Sequence, residues 1–290
     1  MNIVLRFAIT ILLYPGGVSA LVAGWLMLWL AEWAAARRRG TQRPKLMQPV
    51  EDVLKLLNKV TSLPAGAESA VRLIPLLAVV APLLVMVLLP LPGNLAADSP
   101  TTSGDLLAVV FLLLLPTLAP VGLGYVLASP YGRIAARRAT RRVGVLTALL
   151  LASLLAIAAQ RGSLSLSGLS VQQTHFSAAS LILDIAAGLI FLLCLPLLTP
   201  QAGMGLSRGS LELMAGPYTD LTGADLALLH LSATVQSLAS ASLLASLFIL
   251  PYVPGGLLAQ LGVYLATLVA SGLFTGLVNR NHSAGYSFAR

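Results

Sequence analysis

Few residues in this chain could carry chemistry, and they stand out against an apolar background. Asp184 interrupts the run Leu181-Ile182-Leu183-Asp184-Ile185. An ionised carboxylate inside such a segment is costly, so it either serves an ion path or persists as a protonated, hydrogen-bonded structural group. A histidine can exchange protons near neutral pH, so His230 could relay them, or could simply pack near a helix end. Glu32 precedes the cluster Arg37-Arg38-Arg39, as part of a path or as their ion-pair partner. Glu212 and Asp220 lie in a glycine-rich polar stretch that also holds Arg208 and Asp225. No nucleophile–base pair, phosphate loop or metal-ligand spacing accompanies these groups, so the sequence offers neither catalytic residues nor metal ligands of its own. Its single cysteine, Cys194, excludes an internal disulfide and a cysteine-held zinc or iron–sulfur cluster. The remaining chemistry is movement of protons or ions among acids and a histidine, with any redox centre in another subunit.

The background follows from composition. Of 290 residues, 57% are apolar and only 10% charged, and mean hydropathy is +0.89. A soluble fold of this size could not hide so much apolar surface, and a disordered chain would be far more polar. Leu/Ala/Val-rich blocks of about twenty residues call for helices rather than a barrel. The expected fold is therefore all-α: a polytopic transmembrane helix bundle forming a single membrane domain over residues 1–290. Seven spans are expected at about 3–33, 73–91, 106–127, 143–159, 176–199, 226–250 and 256–278. Pro15-Gly16-Gly17 should bend or loosen the first, which is too long for a cleaved signal and is followed by a basic stop.

Alternating the spans collects Arg37, Arg38, Arg39, Lys45, Lys55, Lys59 and the arginines of residues 129–142 on one side, leaving little but Arg6 and Arg161 on the other. The positive-inside rule then places the N-terminus outside and the C-terminus in the cytoplasm of a cell inner membrane. It also explains the net charge of +8 without nucleic acid. Three cytoplasmic loops are expected, at 34–70, 129–142 and 200–225. Within the first, residues 46–59 read as an amphipathic helix: Pro49 suits its first turn, and Val50, Val53, Leu54 and Leu57 share a face. Such a helix lies in the membrane interface, packs on a partner, or caps the bundle. The arginine run of the second loop faces an acidic partner or headgroup, or serves as a topology signal alone.

Together these loops resemble the complex I subunit 1 family, the membrane anchor of NADH-quinone oxidoreductase, including the related membrane anchors of energy-converting hydrogenases. ELMAGPYTDLTG, residues 212–223, is similar to the family's E-L-V-A-G-Y-H-T-E-Y-S-G signature and includes Tyr218. Gln48, Pro49, Asp52, Lys55 and Lys59 match its L-L-Q-P-x-x-D-x-x-K-L-x-x-K segment, and Tyr131 to Arg138 keep the spacing of its basic loop. The resemblance implies a cofactor-free subunit that docks iron–sulfur and catalytic peripheral subunits. It further implies a quinone chamber at that interface and a carboxylate chain leading to antiporter-like membrane subunits. Glu212, Asp220, Asp184, His230 and Glu32 are then ion-path candidates. Gln48, Asp52, Lys55, Lys59, Tyr131, Arg138, Arg208 and Tyr218 are docking or chamber-lining candidates.

The chain departs from that pattern at Thr147, Gly205, Arg208, Ser210, Val60 and Ala233, where the family commonly has acids. His230 replaces a glutamate of the hydrogenase branch, and no eighth span is expected after residue 278. A degenerate scaffold in an ion-transport complex is accordingly the second reading. A stand-alone secondary transporter is a third, weakened by the lack of a convincing internal repeat.

Overall fold

The computed structural model describes residues 14–40, 44–59, 68–94, 105–127, 130–170, 178–198, 221–254 and 256–278. Its helices are α1 (Gly17–Arg39), α2 (Gln48–Leu57), α3 (Glu68–Leu88), α4 (Leu106–Val126), α5 (Pro130–Arg161), the single turn α6 (Leu166–Leu169), α7 (Ala178–Leu198), α8 (Ala224–Leu244) and α9 (Leu257–Val278). Seven of them are long and apolar enough to cross a membrane: α1, α3, α4, α5, α7, α8 with its continuation to Tyr252, and α9. No β-strand forms among the described residues, only an isolated bridge between Asp105 and Ser165. Large apolar side chains face outward, among them Phe111, Val145, Ile182 and Leu193. In water such a surface would be untenable. In a bilayer it is the solvent-matched one. The protein is a multi-pass membrane protein with an all-helical fold.

One expectation from the sequence lies partly outside the described residues, and another is corrected. The opening half of the first span, residues 3–13, lies outside the described residues, and the helix observed there begins at Gly17 directly after Pro15 and Gly16. The described part of the basic run expected as a loop at 129–142 is helical. From Pro130 it forms the opening turns of α5, continuous with the span. Charge keeps arginines out of hydrocarbon, but it does not stop them being helical. Ala and Arg are both good helix formers, and proline is well suited to the first helical position.

Helix ends and breaks are satisfied locally. Gly40 adopts φ 65° after α1, and its N–H bonds to the carbonyl of Ala36, a left-handed cap that glycine takes without strain. Buried Asn94 donates to the carbonyls of Leu89 (2.8 Å) and Val87 (3.1 Å), closing the end of α3. Prolines lie within α3 (Pro75, Pro82), α4 (Pro116, Pro120) and α7 (Pro196). Beyond α8 the backbone widens into a π-helical turn at Ala245–Ile249 and tightens into a 3₁₀ turn at Leu250–Tyr252.

The centre of the bundle is α8, which packs against α1, α2, α3, α4, α7 and α9. Among its buried alanines and leucines it carries small polar residues, Ser232, Ser237, Ser240 and Ser242, with Ser246 in the π-helical turn that follows. Most of these hydroxyls return to a carbonyl three residues back, as Ser237 does to Thr234 at 2.7 Å. Small residues let backbones approach where lipid supplies no hydrophobic drive between helices. A methyl group on Gly24 would stand 2.6 Å from the carbonyl oxygen of Thr234, and one on Gly276 would collide with the backbone of Ala31. Helices α8 and α9 are thus drawn tightly onto α1. Gln236 crosses the core to donate to the carbonyl of Leu113 at 3.0 Å.

Candidate functional site

Helix α2 lies against α1 and α8, and two tryptophans of α1 secure the segment before it. Trp25 Nε1 donates to the carbonyl of Leu46 at 2.9 Å, and Trp29 Nε1 donates to that of Pro44 at 3.2 Å. One turn further on, Trp33 carries the Arg37 guanidinium 5.3 Å above its ring, a cation–π contact at the basic end of the helix. The expected apolar face is not what docks: Val53 and Leu56 are half-buried, while Val50, Leu54 and Leu57 are exposed together with Glu51, Asp52 and Lys55.

This docking brings together three ion-path or docking candidates that are far apart in sequence. The Asp52 carboxylate lies close enough to Glu32 on α1 and to His230 on α8 to act on both electrostatically. Glu32 and His230 are half-buried where α2 meets the bundle, and Asp52 is exposed. Lys55 reaches back to Asp52 at 3.9 Å, but both groups are largely solvated and the pair is worth little. Lys59 and Arg138 are exposed. Gln48 opens α2, and Tyr131 lies in the first turn of α5. Glu212, Asp220, Arg208 and Tyr218 fall outside the described residues.

The described end of the 212–223 motif reaches the same end of the bundle. Leu221 is buried in a cluster with Val71, Ala119, Leu123 and Leu229. Gly223 then turns the chain into α8 at φ 72°, a conformation that favours glycine. Asp225 follows in the first turn of α8, where the helix dipole favours an acid, and Arg72 of α3 acts on it electrostatically.

Asp184 is placed elsewhere. It sits near the start of α7, at the end of the bundle away from α2, and pairs with Arg161 from the last turn of α5. Arg161 Nη2 contacts Asp184 Oδ2 at 3.2 Å and the carbonyl of Leu247 at 3.1 Å, while Nη1 donates to the carbonyl of Leu169. Tyr252 also donates its hydroxyl to Asp184 Oδ2. The backbone break after α8 makes this possible: Pro251, four residues beyond Leu247, has no N–H for that carbonyl, and the guanidinium takes its place. Sequence reasoning singles out Asp184 but not Arg161 or Tyr252. The available signal is that Arg161 is an isolated cation on the side otherwise poor in them.

Comparison with known proteins agrees with this architecture. The family model described as NADH dehydrogenase matches residues 8–280. The H-type subunit of the NADH-quinone oxidoreductase of Thermomicrobium roseum is 26% identical over 251 residues, which cover 77% of this chain and 72% of that protein. A chain in the structure of the membrane-bound sulfane sulfur reductase, an archaeal respiratory membrane complex, is similar in fold at a TM-score of 0.77. The match covers 98% of this chain and 91% of that one at 22% identity.

Proposed function

Because the chain belongs to the NADH dehydrogenase family of membrane subunits, we propose that it is the cofactor-free membrane anchor of a complex I-like or hydrogenase-like respiratory complex. In this role its α2 end docks the iron–sulfur and catalytic peripheral subunits. Its bundle joins them to antiporter-like subunits that translocate protons or sodium. The iron–sulfur clusters reside in the partners, and a quinone chamber, where the complex uses quinone, lies at the shared interface. The observation that carries this reading is the gathering of Glu32, Asp52 and His230 at the junction of α1, α2 and α8, beside the end of the 212–223 motif.

Orientation follows from charge. Arg37, Arg38, Lys45, Lys55, Lys59, Arg133, Arg137 and Arg138 line the α2 end, whereas Arg161 at the other end is consumed in a buried pair. The α2 end is cytoplasmic, the N-terminus outside and the C-terminus inside, in the cell inner membrane. Coupling then has a physical basis. A unit charge arriving about 10 Å from Glu32 or Asp52 changes its energy by roughly 1.7 kcal/mol at an effective dielectric of about 20, enough to shift protonation more than tenfold. Glu212 and Asp220, in the neighbouring motif, extend the same set of acids.

A second reading has its own observation. Apart from Asp225 in its first turn, the buried polar side chains of α8 are serine, threonine and glutamine, and Asp184 and Asp225 are the buried acids among the described residues. A scaffold without an ion path would look like this. Ion uptake by vesicles holding the purified complex separates the two. Asp52→Asn with Glu212→Ala should abolish uptake while electron transfer continues if the path exists, and should leave uptake unchanged if the chain is a scaffold.

A further inference from the structure

Helix α5 turns one face outward along its length. Gly132 and Ala136 lie on the opposite face, against α4, where a methyl group on Gly124 would stand 2.6 Å from the carbonyl oxygen of Gly132 and 2.8 Å from Ala136 Cβ. On the outward face Val145, Leu149 and Leu155 are exposed, as lipid-facing side chains of a span are. At about 3.6 residues per turn, Arg138 and Arg141 project within about 40° of Val145, and both are exposed. The face that meets hydrocarbon therefore continues directly into arginine.

Depth and charge agree. The apolar stretch 143–159 is about 26 Å long at about 1.5 Å per residue, near the thickness of a hydrocarbon core. Arg141 and Arg142 stand within about 3 Å of its edge and Arg138 about 8 Å from it, in a headgroup layer of roughly 5–8 Å. Arg133 and Arg137, Arg137 and Arg141, and Arg138 and Arg142 are each spaced by one helical turn, so like charges repel across the same surface. Helix α5 carries no acid to offset them. Among the described residues, no acid forms an ion pair with Arg133, Arg137, Arg138 or Arg141. Arg142 turns toward α7, donating to the carbonyl of Leu197 at 2.8 Å.

We infer that Arg138 and Arg141 form a binding site for an anionic phospholipid of the adjacent leaflet, their guanidinium groups sharing its phosphate while an acyl chain lies along Val145 and Leu149. Planar guanidinium forks bind phosphate bidentately, and a basic cluster immediately outside a span selects lipids of net negative charge. A partner's transmembrane helix with an acidic end is the competing occupant. The arginines from Arg137 to Arg142 spread over about 140° of the helix circumference, an arc that a layer of headgroups surrounds and a single neighbouring helix does not. Arg138, a docking candidate by sequence, is thereby assigned to lipid. The inference stands on the membrane fold alone and is independent of the electron-transfer partners.

The test uses the whole complex, purified in mild detergent and returned to phosphatidylcholine vesicles. Trace phosphatidylglycerol carrying a diazirine in its acyl chain is activated by light, and the adducts are mapped by peptide mass spectrometry. A phosphatidylcholine probe with the same chain has no net charge and serves as the comparison. On residues 145–152 the anionic probe should be favoured roughly tenfold or more, since each arginine near a charged surface supplies a several-fold gain. Raising salt to about 0.5 M should cut that preference at least threefold in the unaltered protein, because the arginines are exposed. Arg138→Gln with Arg141→Gln should bring the two probes within about twofold, with phosphatidylcholine labelling retained as the sign that α5 still spans the membrane. Arg133→Gln removes the same kind of charge about 15 Å beyond the apolar edge and should leave the preference nearly unchanged. Equal labelling by both probes, a preference indifferent to salt, or one lost equally on Arg133→Gln would overturn the site. So would labelling of residues 145–152 in the isolated chain but not in the complex, which would identify a partner helix as the occupant.

Discussion

Arg161 and Asp184 meet across α5 and α7 at 3.2 Å, with 4% and 3% of their side-chain surfaces exposed. Removing one member of such a pair leaves the other charge stranded. Arg161→Leu or Asp184→Leu alone should therefore cost about 3–5 kcal/mol, while the two leucine replacements together should recover most of that loss. Thermal unfolding of the purified protein in detergent checks this through a double-mutant cycle. Additive losses would mean that the two side chains do not act as a pair.

The close approaches at α1 make a second, independent claim. Gly276→Ala and Gly24→Ala place a methyl group against the backbone of Ala31 and Thr234 respectively. Each should destabilise by about 1–3 kcal/mol, the usual cost of overpacking. Gly262→Ala, where a methyl group meets nothing within 4 Å, should be neutral or slightly stabilising. The same thermal measurement ranks all three.

Trp25 and Trp29 hold the segment leading into α2. Replacing both with phenylalanine keeps the apolar area but deletes two hydrogen bonds, worth about 1 kcal/mol each. Amide exchange across residues 46–57 should accelerate by roughly one to two orders of magnitude, with α3 and α4 unchanged. Unaltered exchange there would show that packing alone seats α2.

The two groups of acids should separate functionally. Glu212→Ala with Asp220→Ala, and Asp52→Asn with His230→Gln, should uncouple ion uptake from electron transfer at least tenfold without dissociating the complex. Asp184→Asn, at the other end of the bundle, should leave the coupling ratio within twofold. Flux through the reconstituted complex, measured together with its electron-transfer rate, gives that ratio.

Much of the fold is legible in the sequence because bilayer physics leaves few choices: apolar blocks of span length must be helices, and the seven expected spans correspond to seven such helices. What the pattern conceals lies between helices. Arg161 and Asp184 are separated by 23 residues, and no spacing rule links the end of one helix to the start of the next but one. The π-turn at Ala245–Ile249 has no composition of its own, and Pro251 hints at a break without telling how Leu247 is satisfied. The arginines of α5 read as a loop because charge reports depth in the membrane, not backbone conformation. Glu32 and His230 are each recognisable as unusual, but their common relation to Asp52 depends on how α2 is laid across α1 and α8.

The central claim is that this chain anchors an electron-transfer arm. A pull-down of the tagged chain from its native membrane in mild detergent, with mass spectrometry and an iron assay, tests it most directly. Iron–sulfur and antiporter-like subunits should copurify with stoichiometric iron. Recovery of the chain alone, or with antiporter-like subunits but no iron, would contradict it.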